Sequence, residues 1–219
     1  MKGRVPPFLI RRMPPLIKGY CVATVEKVPG AEAGRRPRAD AARNRARLLD
    51  AAKAVFAAKG AEASLEAIAR EAGVGIGTLY RHFPTRDSLI EAVYRNETDQ
   101  LGEAARRLAA ELPPVPALRA WMLAFVDYMA TKQGMTDLLK AMPSGSDRLY
   151  AASGAMIREA MAALIGRAAS AGEVRFDGDP FDLLRALGGV ASLGRDDDGG
   201  PAARAMVDIL IAGLRTPRA

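Results

Sequence analysis

The spacing of apolar residues along most of the chain is helical. Between about residues 41 and 60, Leu48, Ala52, Val55 and Phe56 fall at i, i+4, i+7 and i+8, and charged side chains occupy the remaining positions. This pattern predicts a first amphipathic helix, which a glycine at position 60 ends.

Three further helices are predicted before residue 111. Ser64 is a candidate N-cap for a helix over 65–72, which Gly73 ends. A third short helix over 76–83 is stopped by Pro84, and Thr85 caps a fourth that continues to about residue 110.

A proline-rich break over 111–116 precedes the second half of the chain. Beyond it, helical spacing predicts further helices at 117–132, 135–141, 147–170, 180–194 and 201–214. No segment alternates apolar and polar residues over a length that would predict a strand. The predicted fold is therefore all-α, with a three-helix helix-turn-helix domain followed by a helical bundle, about nine helices together.

The N-terminal segment differs from the rest because prolines and glycines interrupt it and no helical period is sustained. We predict a disordered basic tail over 1–38, a first helical domain over 39–95 and a second domain over 96–219. Whether the tail belongs to the native protein stays open, since translation could also start further downstream.

Charge is distributed unevenly. The net charge is +7, but residues 1–95 carry 18 Lys and Arg against 9 Asp and Glu, whereas residues 96–219 carry 14 against 16. Such a basic half is typical of a module that binds phosphate groups, although a basic disordered tail would produce part of the same imbalance.

A lone cysteine, Cys21, excludes a disulfide framework and a thiolate metal site, which favours the cytoplasm. No apolar run reaches the roughly 18 residues of a membrane-spanning helix. With one histidine and one cysteine, His-based triads, multi-His zinc sites and Cys–His pairs are excluded. We therefore expect no enzyme, no cofactor and no metal.

Residues 64–83, SLEAIAREAGVGIGTLYRHF, have the pattern of a helix-turn-helix. Two helices that cross steeply need a small residue at the crossing, here Ala69, and a tight turn, here Gly73 to Gly75. If Leu79 and Phe83 face inward, a rotation of about 100° per residue leaves an opposite face suited to DNA. That face carries a glycine, a guanidinium and hydroxyls at Gly77, Thr78, Tyr80 and Arg81.

The stretch AIAREAGVGIGTLYRHFPTRDSLIEAV resembles the N-terminal signature of the TetR family of transcriptional regulators, and the resemblance covers residues 43–93. It implies a dimeric repressor of a near-palindromic operator that a small apolar or aromatic effector releases, or alternatively an activator or an effector-independent DNA-binding protein. The implied DNA contacts are phosphate contact by Ser64, base-edge contact by Ile76, Gly77, Thr78 and Arg81, backbone contact by Tyr80 and Arg86, and a groove-margin position for His82. Gly75 departs from the family, which often has a capping Ser or Thr there.

The second domain contains a cluster of methionines and aromatic residues that is either a ligand pocket or ordinary core. The predicted pocket residues are Trp121, Met122, Phe125, Tyr128, Met129 and Met156. By resemblance, the last two helices form the dimer interface, with Phe181, Leu184, Leu187, Gly188, Met206, Ile209 and Leu210. The run Asp196, Asp197 and Asp198 is interpreted as solvated surface because calcium loops need spaced ligands.

Overall fold

The computed structural model describes residues 35–142, 147–193 and 199–216. Within these ranges an isolated bridge between Val174 and Arg215 is the only β pairing. The helices are α1 (Arg35–Lys59), a 3-10 turn (Gly60–Glu62), α2 (Leu65–Glu71), α3 (Ile76–His82), α4 (Arg86–Glu111), α5 (Pro114–Gly134), α6 (Thr136–Lys140), α7 (Asp147–Ser170), α8 (Pro180–Leu193) and α9 (Gly199–Leu214). The predicted all-α class and the predicted order of helices are confirmed.

Three helices begin earlier than predicted, and each has proline in its first turn. These are α1 with Pro37, α5 with Pro114 and Pro116, and α9 with Pro201. The first backbone N–H groups of a helix have no intrahelical acceptor, so a proline there removes no hydrogen bond. The prediction that residues 35–38 belong to a disordered tail was therefore wrong. Residues 1–34, with Cys21, and the acidic run 196–198 lie outside the described residues.

The N-terminal head comprises α1, α2 and α3. Its core is built from apolar side chains of all three helices, including Leu48, Phe56, Ile68 and Leu79, each fully buried. Ile68 and Leu79 come from the two short helices, which are too short to be stable without such packing. The head is therefore held by its internal contacts with α1.

The bundle comprises α4 to α9, with α4 and α5 packed along each other at its centre. Trp121 of α5 is fully buried, and its indole N–H donates to the Leu101 carbonyl of α4 over 2.9 Å. Helix α4 also packs against α1, so one continuous helix joins the head to the bundle. The predicted domain boundary at 95/96 falls inside this helix.

Candidate nucleic-acid interface and ligand clefts

Helix α2 is capped at both ends by local hydrogen bonds. At its start, the Ser64 Oγ accepts from the Ala67 N–H over 3.1 Å, as the N-cap prediction requires. At its end, Gly73 N–H donates to Arg70 O and Val74 N–H donates to Ala69 O, each over 3.0 Å. Gly73 has a φ of 62°, and this pair of bonds is a Schellman motif. The turn before α3 is thus set by the backbone.

Arg47 of α1 fixes the same turn from outside. Its Nη2 donates to the Gly73 carbonyl over 3.3 Å. The positive φ favours glycine at position 73, and a Cβ there would lie 2.4 Å from that nitrogen, so the end of the Arg47 side chain would have to move aside. Sequence reasoning placed Arg47 on a polar face of α1 and missed this contact, which joins residues 26 positions apart.

Helix α3 has one buried face and one exposed face. Leu79 is fully buried and Phe83, at the helix end, is 3 % exposed, as the rotation argument predicted. On the outer face Tyr80 is 46 % exposed and Arg81 is also exposed. Nothing lies within 4 Å of where a Cβ of Gly77 would be, so the backbone there is open to a partner.

The other predicted DNA-binding residues surround this outer face. Ile76 is 37 % exposed at the start of α3, Ser64 is exposed, and Thr78 and His82 are half-buried. Gly75 is the N-cap residue of α3 and has no side chain that could cap the helix. The structure therefore agrees with the sequence, in which a capping Ser or Thr is missing at this position. The result is a short helix with an open, hydroxyl-bearing and cationic outer surface.

The Arg86 side chain makes hydrogen bonds inside the head. Its guanidinium donates to the carbonyls of Ala63 and Ala61, the latter over 2.9 Å, and lies 5.4 Å from the centre of the Phe56 ring. These contacts use both terminal nitrogens inside the head. These bonds tie the start of α4 to the loop before α2, and the predicted phosphate contact of Arg86 stays a prediction.

The start of α4 is also fixed by a capping box. The Thr85 Oγ1 accepts from the Ser88 N–H over 3.0 Å, and the Ser88 Oγ accepts from the Thr85 N–H over 3.1 Å. The Thr85 cap was predicted, whereas the reciprocal bond of Ser88 was not. The head and the first turn of α4 therefore form one rigid unit.

Two family profiles match the chain. Residues 48–93 match the bacterial regulatory proteins of the tetR family, and residues 113–216 match the C-terminal domain of SbtR-like transcriptional regulators. A crystal structure of a TetR transcriptional regulator from Streptomyces coelicolor is 46 % identical, with a TM-score of 0.73 over 80 % of this chain and 99 % of that one. The chain belongs to the TetR family of DNA-binding transcriptional regulators.

Other relatives agree with that assignment. A TetR regulatory protein from Mycobacterium vanbaalenii is 34 % identical over 82 % of this chain and 99 % of its own, with a TM-score of 0.68. The HTH-type transcriptional regulator UidR of Escherichia coli is 35 % identical over 86 residues, which are 39 % of this chain and 38 % of UidR. The match to this curated relative therefore spans well under half of its length.

The residues predicted to line an effector pocket in this TetR-family regulator lie at different places in the bundle. Trp121, Met122 and Phe125 of α5 are buried in the core. Tyr128 lines a cleft between α1, α4 and α5, whereas Met156 lines clefts between α4 and α7. The burial of Trp121, Met122 and Phe125 is consistent with the core interpretation, and the predicted pocket stays a prediction.

Beneath these clefts, a chain of hydroxyl groups crosses the bundle. Tyr128 donates to the Tyr94 hydroxyl over 2.9 Å, and Ser153 donates to the Tyr150 carbonyl over 3.1 Å. Because the Ser153 proton is used there, Tyr94 is the donor in its 2.7 Å bond to Ser153. Burial raises the pKa of Tyr94, and this keeps its hydroxyl protonated as the chain requires.

The predicted dimer residues fall into three sets by burial. Leu184 and Leu187 are buried inside the protomer's own core, and their place in an interface stays a prediction. Ile209 of α9 is 62 % exposed and is the most exposed large apolar side chain of the described residues. The remaining four, which are half-buried, are Phe181, Gly188, Met206 and Leu210.

Ion pairs fasten α9 to α5 beside this surface. Arg119 donates to both carboxylate oxygens of Asp208, over 2.6 and 3.1 Å, and Arg204 pairs with Asp127. The Arg119 guanidinium lowers the pKa of Asp208. These ion pairs thereby hold α9, with its exposed Ile209, against α5.

None of the helices in the ranges 35–142, 147–193 and 199–216 is long and apolar enough to cross a membrane. In the same ranges, no three His, Cys, Asp or Glu side chains are grouped so that they could hold a metal ion.

Proposed function

We propose that the protein is a dimeric repressor that binds a near-palindromic operator through α2 and α3 and leaves it when a small apolar or aromatic effector binds the bundle. The observation that carries the proposal is the outer face of α3. Its open backbone at Gly77 and its exposed Tyr80 and Arg81 stand on a helix whose inner side is fully buried. A helix anchored in this way can enter a major groove without loss of its own packing.

Each outer residue has a proposed role on DNA. Arg81 reads a guanine through its O6 and N7, Gly77 lets the backbone approach base edges, and Tyr80 contacts a phosphate. Ile76 and Thr78 flank the base edges, Ser64 contacts a phosphate and His82 lies at the groove margin. Arg86 is left out of this set because its guanidinium is engaged within the head.

The division of labour follows from the helix order. Residues 39–95 bind DNA, and residues 96–219 bind the effector and form the dimer, with α4 as the connection. Two-fold symmetry places the recognition helices about one turn of DNA apart, roughly 34 Å, and this requires a near-palindrome. The protein acts in the cytoplasm, where that DNA lies.

Binding to DNA is tested with the chain's own upstream region in a fluorescence anisotropy titration at several salt concentrations. The wild type binds a specific fragment at least about a thousandfold more tightly than an unrelated one. Arg81→Ala lowers that ratio, whereas Arg148→Ala, an exposed arginine on α7, leaves it unchanged. Failure of the wild type to prefer any upstream fragment would refute the proposal.

Dimerisation through α8 and α9 is tested separately. Ile209→Glu places a charge at the exposed apolar position of α9. We expect this variant to be a monomer by light scattering and to lose operator affinity. The matched control Ala162→Glu, on an exposed face of α7, remains a dimer. If the Ile209→Glu variant remained a dimer, the dimer interface would not be formed by this face of α9.

A further inference from the structure

A groove between α4 and α7 is lined mostly by small apolar side chains. Its walls include Gly102, Ala105 and Ala109 of α4 and Ala160 and Ala163 of α7, and it encloses about 370 Å³. The lining spans residues 102–109 on one helix and 156–167 on the other, so its length is about 10 to 16 Å at a rise of 1.5 Å per residue. We call this cavity the α4–α7 groove. Its shape suits a narrow, extended apolar chain.

One end of the α4–α7 groove contains an arginine with an unused donor. Nη2 of Arg167 donates to the Leu112 carbonyl at the end of α4 over 2.9 Å. Nη1 of the same guanidinium is buried and has no hydrogen-bond partner among the described residues. A buried donor on a cation is costly when unpaired, and a carboxylate satisfies it with a charge-assisted bond.

The charge of the lining favours an anion. Arg106 and Arg167 line the groove together with a single acid, Glu159. Arg106 is exposed and makes no ion pair within the ranges that the structure describes. An apolar floor with two cations is complementary to a molecule that has an apolar chain and an anionic head.

Met156 separates the groove from a second cleft. That cleft measures about 150 Å³ and is lined by Tyr94 and Ser153, and Met156 lines both cavities. The thioether lies over Gly102, where a Cβ would be 2.8 Å from its sulfur. Methionine is flexible and unbranched, so its side chain can turn aside for a chain longer than the groove.

We propose that the α4–α7 groove binds an amphiphilic carboxylate, with its head on Arg167 and Arg106 and its apolar chain along the alanines toward Met156. This inference rests on the proposed function, since it names the class of effector. In the empty groove Nη1 is closed off from solvent, so Arg167 has to turn for the head to reach it. This turn breaks or strains its bond to the Leu112 carbonyl at the end of α4, and it thereby couples the ligand to the position of α4. The start of α4 is bonded to the head through Arg86. A shift of α4 on ligand binding therefore changes the position of α3.

Decanoate is the first probe, measured by isothermal titration with the full chain well below micelle-forming concentrations. It binds at one site per protomer. 1-Decanol, which has the same chain without the charge, and butyrate, which has the same charge on a short chain, bind at least about tenfold more weakly. Equal binding of decanoate and 1-decanol would overturn the role of the arginines.

A matched pair of variants locates the site. Ala163→Phe fills the groove from its exposed side and weakens decanoate at least about tenfold, whereas Ala162→Phe, one residue away and outside the lining, leaves binding within about twofold. Equal affinity of the two variants for decanoate would overturn the assignment of the groove.

The anionic head is tested by Arg106→Gln and Arg167→Met. Each weakens decanoate at least about tenfold and leaves the weaker affinity for 1-decanol unchanged. Arg107→Gln, whose side chain pairs with Glu111 and lies outside this lining, is the control for Arg106. Arg167 also bonds to the Leu112 carbonyl at the end of α4, so the melting temperature of Arg167→Met is compared with that of the wild type. Arg106→Gln binding decanoate like the wild type would overturn the proposed head position.

DNA binding in the absence of probe separates this inference from the proposed function. A protein that prefers an upstream fragment but binds no decanoate refutes the groove as a carboxylate site and leaves the regulator intact. A protein that binds decanoate in the groove but prefers no DNA fragment refutes the proposed function alone.

Discussion

The head and the bundle of this protein use their charged and aromatic residues in different ways. In the head, the proposed DNA contacts lie between positions 64 and 82, and all of them except Ser64 are on one short helix, α3. In the bundle, the walls of each cleft come from helices far apart in the sequence, as in the contact between Arg167 and Leu112 across 55 positions. A recognition surface built from neighbours is readable in sequence, whereas a cavity is a property of packing.

The same difference determines what a substitution can change. On α3, outer and inner residues lie within one turn of each other. A substitution on the outer face therefore changes DNA binding, whereas one on the inner face changes stability. In the bundle, side chains that resemble a pocket by composition fill the core, and the groove itself is lined by alanines. The following substitutions test this contrast, from the largest expected effect to the smallest.

Trp121→Ala is expected to lower the free energy of unfolding by about 3–5 kcal/mol, because it removes a fully buried side chain and leaves a cavity. Urea denaturation measures the change. Trp121→Phe is the control, since it keeps an aromatic ring and loses the bond to the Leu101 carbonyl, and its cost is expected to be about 1–3 kcal/mol. A Trp121→Ala variant that kept its stability but lost ligand would restore the pocket interpretation.

Arg86→Ala is expected to destabilise the head by about 1–3 kcal/mol, because the Ala61 and Ala63 carbonyls lose their donor and Phe56 loses its cation. Arg81→Ala, on the exposed face, changes stability by less than about 0.5 kcal/mol and relaxes base preference. Thermal unfolding and the salt dependence of DNA binding are measured for both. A stable Arg86→Ala protein with a salt slope reduced by about 1 would return Arg86 to the phosphate backbone.

Gly73→Ala is expected to cost at least about 1 kcal/mol, because a φ of 62° is unfavourable for alanine and the new Cβ would meet Arg47. Gly77→Ala has the opposite effect on stability, a gain of up to about 1 kcal/mol from better helix propensity, since the space around it is open. It nevertheless weakens operator binding by holding the backbone away from the bases. Equal stability changes in the two variants would show that the turn tolerates a side chain.

Asp179→Asn is expected to have the smallest effect, and one that depends on pH. The backbone N–H of Phe181, then the Arg158 guanidinium, lower the pKa of Asp179 below its ordinary value. A lowered pKa gives stability that is present above the unfolded value and is lost as the pH falls through the folded value. The melting temperatures of variant and wild type should therefore differ at neutral pH and converge in acid. Asp177→Asn, with an ion pair of 3.5 Å, is the control.

Much of the fold could be predicted because its determinants are local. The bounds of α7 agree with the periodicity, and the Ser64 and Thr85 caps form the bonds that their side chains predict. The errors occurred where one residue type has two meanings. Proline was interpreted as a break at positions 37, 114 and 116, although in the first turn of a helix it is compatible with the backbone.

The candidate site could be predicted where its residues are neighbours on one helix. The burial of Leu79 and Phe83 and the exposure of Tyr80 and Arg81 follow from the helical period. Arg86 did not follow, because its acceptors lie more than 20 positions away at Ala61 and Ala63. No pattern within a single helix shows whether a guanidinium faces solvent or a distant carbonyl.

By itself, the sequence determined the helices, the turn at Gly73 and the composition of the recognition face, since each depends on side chains within a few positions of one another. The tertiary structure alone decided which arginines are engaged inside the protein and which remain available, and where the bundle leaves space. The physical reason is that a free donor and an empty groove are defined by what surrounds them, and the surroundings of Arg86 and Arg167 come from other helices.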